Sequence, residues 1–138
     1  MWLTDYGLFP FREYRNRLGC GTPWDAPEVA NPGMELKPVD KPADIFAFAM
    51  LVIEVFTGKK PFPHAKSDAL ACLWIMKGKR PPRPTSDQGL GFSDGIWDII
   101  QRCWVQNPNE RPVIDEVINA WEQGMGNTGW VSRLIPSV

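Results

Sequence analysis

The chain has 138 residues, 43% hydrophobic and 22% charged, with seven Trp and a net charge of −1. That composition suits one globular domain with a packed core and argues against disorder. A near-neutral chain without a basic block offers no electrostatic footprint for nucleic acid or an anionic membrane surface, so neither is expected as a partner.

Residues 1–39 are rich in Gly, Pro and aromatic residues and read as a long ordered loop, with one helical turn after Pro27. The first strong helix begins near Pro42. From Ala43 to Phe56 the side chains are apolar almost all the way round, with Glu54 the one interior charge. That pattern predicts a helix buried on every face, ended by Thr57-Gly58. Lys59-Lys60-Pro61-Phe62-Pro63 forms a turn. Ser67 or Asp68 caps a second helix running to about Lys77, with Leu70, Leu73, Trp74 and Met76 mainly on one side and Gly78 as its stop. Lys79 to Gly91 is a Pro- and Gly-rich loop. Ser93 caps a third helix, whose Ile96, Ile99, Ile100, Cys103 and Trp104 follow the i, i+3, i+4, i+7, i+8 pattern. Pro108 ends it. Pro112 suits the first turn of a fourth helix. Val113, Val117, Ala120 and Trp121 are its expected buried stripe, and Gly124 and Gly126 its stop. There are no repeats and no convincing strands, so the expected fold class is mainly α.

The cysteines, Cys20, Cys72 and Cys103, are odd in number and far apart, without a Cys-x-x-Cys pair. Buried reduced thiols in a cytoplasmic protein are expected. The N-terminus shows no basic stretch followed by an apolar one, so no secretory signal is predicted. The sustained apolar run from Ile45 to Ile53 is too short for the roughly twenty residues a membrane span needs. The lone His64 has no Cys, His or paired carboxylates at ligand spacing and is expected to be structural or exposed.

Short motifs punctuate the chain in a fixed order. Asp5-Tyr6-Gly7 comes first, then Gly21-Thr22-Pro23 and Ala26-Pro27-Glu28. Asp44-Ile45-Phe46-Ala47-Phe48 opens the apolar helix, and Cys103-Trp104 and Asn107-Pro108-Asn109-Glu110-Arg111-Pro112 close the set. In this order and at these spacings they resemble the second half of a protein kinase domain. Gly-Thr-Pro, Cys-Trp, Arg-Pro and the segment Gly78-Lys79-Arg80-Pro81-Pro82-Arg83-Pro84 favour its tyrosine-kinase-like serine/threonine branch. The resemblance implies a partial kinase fold: residues 1–123 as a helical C-lobe fragment, with 5–28 as activation segment and 43–123 as helical subdomain, and 124–138 as a tail.

The resemblance also implies roles. Asp5 would bind Mg²⁺, and the metal would bridge ATP phosphates, so ATP and Mg²⁺ are the expected cofactors of the parent domain. Thr22, Pro23 and Trp24 would floor the groove for a protein substrate. Only Trp24 and Asp25 separate Pro23 from Ala26, where relatives usually have three residues. Glu28 and Arg111 would form a buried ion pair, since the planar Arg fork can hold a carboxylate with two parallel bonds. Asp44 would accept backbone N–H bonds from a catalytic loop. Tyr14 and Thr22 are the activation-segment hydroxyls open to phosphorylation. The blander readings are an Asp-x-Gly turn, a plain Pro/Gly loop, two solvated charges and a helix N-terminal acid.

The 138 residues contain no His-Arg-Asp loop, no strand Lys paired to a helix Glu and no Gly-rich phosphate loop. Two functions therefore stand open: a kinase fragment that is inactive by itself, or a non-catalytic kinase-like module that binds a partner protein.

Overall fold

Residues 21–30, 41–85 and 92–125 are described by a computed structural model. A short helix α1 (Pro27–Ala30) leads to the long α2 (Lys41–Thr57), then α3 (Asp68–Met76) and α4 (Asp94–Cys103). A 3₁₀ turn at Pro108–Glu110 precedes α5 (Ile114–Met125). No strand occurs among the described residues.

The core forms where α2 packs on α4 and α4 packs on α5, while α1 rests against α3. Phe46, Met50, Ile75, Ile96, Ile99, Ile100 and Cys103 are fully enclosed there. Each large apolar side chain taken out of water contributes about 1.5–3 kcal/mol. Aromatic edges tie the layers together: Phe48 meets Trp121 at 5.6 Å and Trp97 meets Trp104 at 5.5 Å between ring centres. Both serine caps form as expected. Ser67 Oγ accepts from Leu70 N at 3.2 Å and Ser93 Oγ from Ile96 N at 3.2 Å, each satisfying a donor that the first helical turn leaves without a partner.

Three expectations need correction. First, α2 is not buried on every face: Leu51 is 50% and Val55 63% exposed, and Asp44 lies on the same stripe. Apolar periodicity shows that a side chain can be buried, not that a neighbour covers it. Second, α3 turns Ala71, Cys72 and Ile75 inward, while Leu73 is exposed. Small Ala71 and Cys72 let the helix approach closely, and Trp74 instead lies edge-on to Phe62 and under Lys79. Third, Val113 is exposed, and Gly124 lies inside α5. Val113 precedes the helix, its carbonyl accepting the first bond, from Val117 N at 3.1 Å. Gly124 serves packing. A Cβ there would sit 3.1 Å from Ile96 N, and Ser93 Oγ donates to the Gly124 carbonyl at 2.9 Å.

Cys72 and Cys103 are buried thiols, as expected; Cys20 lies outside the described residues. Burial pushes the Cys103 thiol up to about 12, with Arg102 opposing. A thiol that ionises near its ordinary value only when unfolded draws the equilibrium toward the unfolded state as pH rises. Its contribution to stability is therefore intact below pH 9.0, the ordinary value, and is lost progressively toward pH 12. The expected slope is up to about 1.4 kcal/mol per pH unit, measured as the difference between wild type and Cys103→Ala in alkaline urea titrations. Parallel curves for the two proteins would contradict it.

Candidate functional site

The loop from Thr22 to Glu28 is closed by its own residues. Asp25 N donates to the Thr22 carbonyl at 3.0 Å, and Thr22 N donates to Asp25 Oδ2 at 2.6 Å. The two bonds make a tight turn with Pro23 and Trp24 at its centre. A side-chain carboxylate accepting from a nearby backbone N–H fixes such a turn without help from a strand or helix. Pro23 is fully buried, and Thr22 and Trp24 are half-buried. Trp24 Nε1 donates to Glu54 Oε2 at 2.9 Å, which attaches the turn to α2. A phosphate on Thr22 would place its charge beside the Asp25 carboxylate and strain this turn.

The loop runs into α1, where Val29 N and Ala30 N both donate to the Ala26 carbonyl at 2.9 Å. This turn presents Glu28 to Arg111, 83 residues away in sequence. Arg111 Nη1 donates to Glu28 Oε1 at 2.6 Å and Nη2 to Oε2 at 2.8 Å, a two-pronged pair. The other Arg111 donors reach backbone: Nε to the Val105 carbonyl at 3.0 Å and Nη1 to the Pro42 carbonyl at 2.8 Å. One guanidinium thus binds α1, the start of α2 and the segment after α4. The Arg111 side chain is 0% exposed and that of Glu28 25%.

Arg80 lies beside it. Its Nε donates to the Trp104 carbonyl at 2.7 Å and its Nη1 to the Ile75 carbonyl at 3.2 Å, so it satisfies carbonyls at the C-terminal ends of α3 and α4. Burial brings its pKa down to about 10, the neighbouring Arg111 charge adds to the fall and Glu28 opposes it. Both guanidinium groups lie over Phe46, at 5.0 and 5.1 Å from its ring centre.

The structure therefore brings together Thr22, Pro23, Trp24, Glu28 and Arg111. It does not bring Asp44 to them: Asp44 is exposed in the first turn of α2, without a hydrogen bond among the described residues. Asp5 and Tyr14 lie outside the described residues. Among the described residues no group of three or more His, Cys, Asp or Glu is placed to hold a metal ion. No helix there is long and apolar enough to cross a membrane. His64 is exposed. Two contributors escaped the sequence reading, Glu54 as the partner of Trp24 and Arg80 as a second, half-buried cation beside Arg111. Glu54 was visible as the single charge in an apolar helix, a position that demands a partner. Arg80 carried only the weaker signal of a cation just before Pro81-Pro82.

Several curated proteins are similar in sequence to this chain. A dual specificity protein kinase of Dictyostelium discoideum is 31% identical over 121 residues, 84% of this chain and 15% of that protein. A serine/threonine-protein kinase of Arabidopsis thaliana is 31% identical over 106 residues, 77% of this chain and 17% of that protein. A receptor-type guanylate cyclase of Caenorhabditis briggsae is 30% identical over 132 residues, 92% of this chain and 11% of that protein. The chain spans less than a fifth of the length of these curated relatives. Residues 2–120 match the model of the protein tyrosine and serine/threonine kinase family, and this chain, a mainly helical part of that domain consistent with its C-lobe, belongs to it.

Proposed function

We propose that this chain is the peptide-docking lobe of a protein kinase that transfers the γ-phosphoryl group of Mg-ATP to serine or threonine of a protein substrate. The observation that carries this reading is the loop from Thr22 to Glu28, closed by Asp25 and fastened to the helical body by Glu28 and Arg111. Gly21-Thr22 supports the serine/threonine preference, as do the serine/threonine-protein kinases among the relatives.

Docking is the part of the chemistry these residues serve. Phosphoryl transfer is mostly positioning plus stabilisation of charge on the phosphoryl oxygens. The turn supplies a surface for the substrate backbone, held rigid by Trp24 and Glu54. Mg-ATP supplies the phosphoryl group. Asp5 is the residue that would hold its metal, within a lobe-to-lobe cleft that the 138 residues do not complete.

The 138 residues alone are expected to incorporate no label from γ-labelled Mg-ATP into a protein substrate. Incorporation abolished by Asp5→Ala would overturn that expectation. Joined to an upstream His-Arg-Asp loop and Gly-rich loop from the same transcript, the protein is expected to label serine and threonine. Label confined to tyrosine would overturn the serine/threonine assignment. A second reading, a non-catalytic kinase-like module that binds a partner protein, draws on the match to a receptor-type guanylate cyclase, whose name states a different reaction. A transcript beginning at Met1 would favour it.

A further inference from the structure

Between Thr57 and Ser67 the chain places Lys59, Lys60, His64 and Lys66 and no acidic residue, although its net charge is −1. The backbone of this segment is well anchored. Thr57 Oγ1 donates to the Ile53 carbonyl at 2.7 Å and accepts from Lys59 N at 3.2 Å. Pro61 is fully buried, and Phe62 lies edge-on to Trp74 at 5.9 Å. The three lysines and His64 are exposed.

Lys59, Lys60 and Lys66 line a groove of about 400 Å³ together with Pro23, Phe62 and Asp68. Asp68 is the one carboxylate in its lining, and Lys60 Nζ already holds it at 3.2 Å. Lys59 and Lys66 make no ion pair among the described residues. The groove thus carries surplus positive charge over a concave wall of proline and phenylalanine. It also shares Pro23 with the turn that places Thr22 and Trp24.

We infer that this groove takes a carboxylate-rich segment of the protein that docks on the Thr22–Trp24 turn, so that the substrate carries acidic residues beside its acceptor. The placement on the substrate chain rests on the proposed docking role of that turn. An isolated surface ion pair contributes little, but several lysines facing several carboxylates add steering and register. A concave site that reaches buried Pro23 suits an extended peptide, whose backbone can enter it, rather than a flat layer of lipid headgroups.

The test is a titration of the isotope-labelled 138-residue chain with a glutamate-rich peptide containing serine, followed by amide and indole resonances. The Lys59 and Lys66 amides and the Trp24 indole N–H are expected to shift together. Affinity is expected to fall about tenfold in the exposed-site variant Lys59→Glu/Lys66→Glu, and also between about 0.05 M and about 0.5 M salt. Equal affinity of wild type and variant, or equal binding of a lysine-rich peptide, would overturn the inference. Shifts at Lys59 and Lys66 without Trp24 would uphold the acidic-peptide site and remove the docking role of the turn. Shifts at Trp24 alone would do the reverse. Phosphatidylserine vesicles that bind wild type but not the variant, with no peptide binding, would make the ligand a membrane surface and overturn the inference.

Discussion

Replacing Arg111 with Met is expected to lower the unfolding free energy of the chain by about 3–5 kcal/mol, the usual cost of breaking a buried ion pair from one side. Every Arg111 donor is engaged. Nε donates to Val105, Nη1 to Glu28 and Pro42, and Nη2 to Glu28 and the Gln106 carbonyl at 3.4 Å. Methionine fills part of the space but leaves these carbonyls and a carboxylate without their donor. Glu28 is 25% exposed, so water restores part of its hydration and the lower half of the range is expected. Glu28→Gln leaves the opposite problem, an enclosed guanidinium that cannot shed its proton. The double variant Glu28→Gln/Arg111→Met is expected to cost less than the two single changes added together, by about 1–3 kcal/mol. Calorimetry decides: an Arg111→Met protein melting within about a degree or two of wild type would show that the pair holds nothing.

Phe46→Ala is expected to cost a similar amount, about 3–5 kcal/mol, because it empties a fully enclosed aromatic site. Its consequence reaches beyond the cavity. The Phe46 ring lies between two guanidinium groups and the core, with half-buried Arg80 at 5.0 Å and buried Arg111 at 5.1 Å. Two guanidinium groups this near one another repel, and Arg111 contributes to the fall in the Arg80 pKa. The negative face of an aromatic ring attracts both and offsets part of that repulsion. Phe46→Leu keeps an apolar side chain and removes the π face, so a loss of about 1–2 kcal/mol is expected for it. Urea denaturation of both variants separates volume from ring. A Leu variant as stable as wild type would reduce Phe46 to a space-filling role.

Much of the helical frame was legible because local chemistry decides it. Ser67 and Ser93 cap their helices whatever lies beyond them. The stripe of α4, from Ile96 to Trp104, has a strong 3.6-residue period and is buried in full. The inward face of α3 was not legible. Its sequence is apolar on nearly every side, so the choice of Ala71, Cys72 and Ile75 over Leu73 depends on which neighbour arrives. Gly124 has the look of a helix stop, yet it lies in the last turn of α5, where α4 passes too close to leave room for a Cβ. In the candidate site, Glu28 and Arg111 stood out because their motifs mark them, and the structure places them in contact. The bond from Trp24 to Glu54 and that from Arg80 to the Trp104 carbonyl depend on tertiary approach and left faint marks in the sequence.

The central claim is that the Glu28–Arg111 pair fastens the turn at Thr22–Asp25 to the helical body. Hydrogen exchange of Arg111→Lys against wild type tests it most directly. Lysine keeps the charge and loses the planar fork. Exchange across residues 22–30 is expected to speed up by a larger factor than exchange across α4, because loss of the fork opens the turn locally before the core opens. Equal factors in both segments, or an unchanged turn, would contradict the claim.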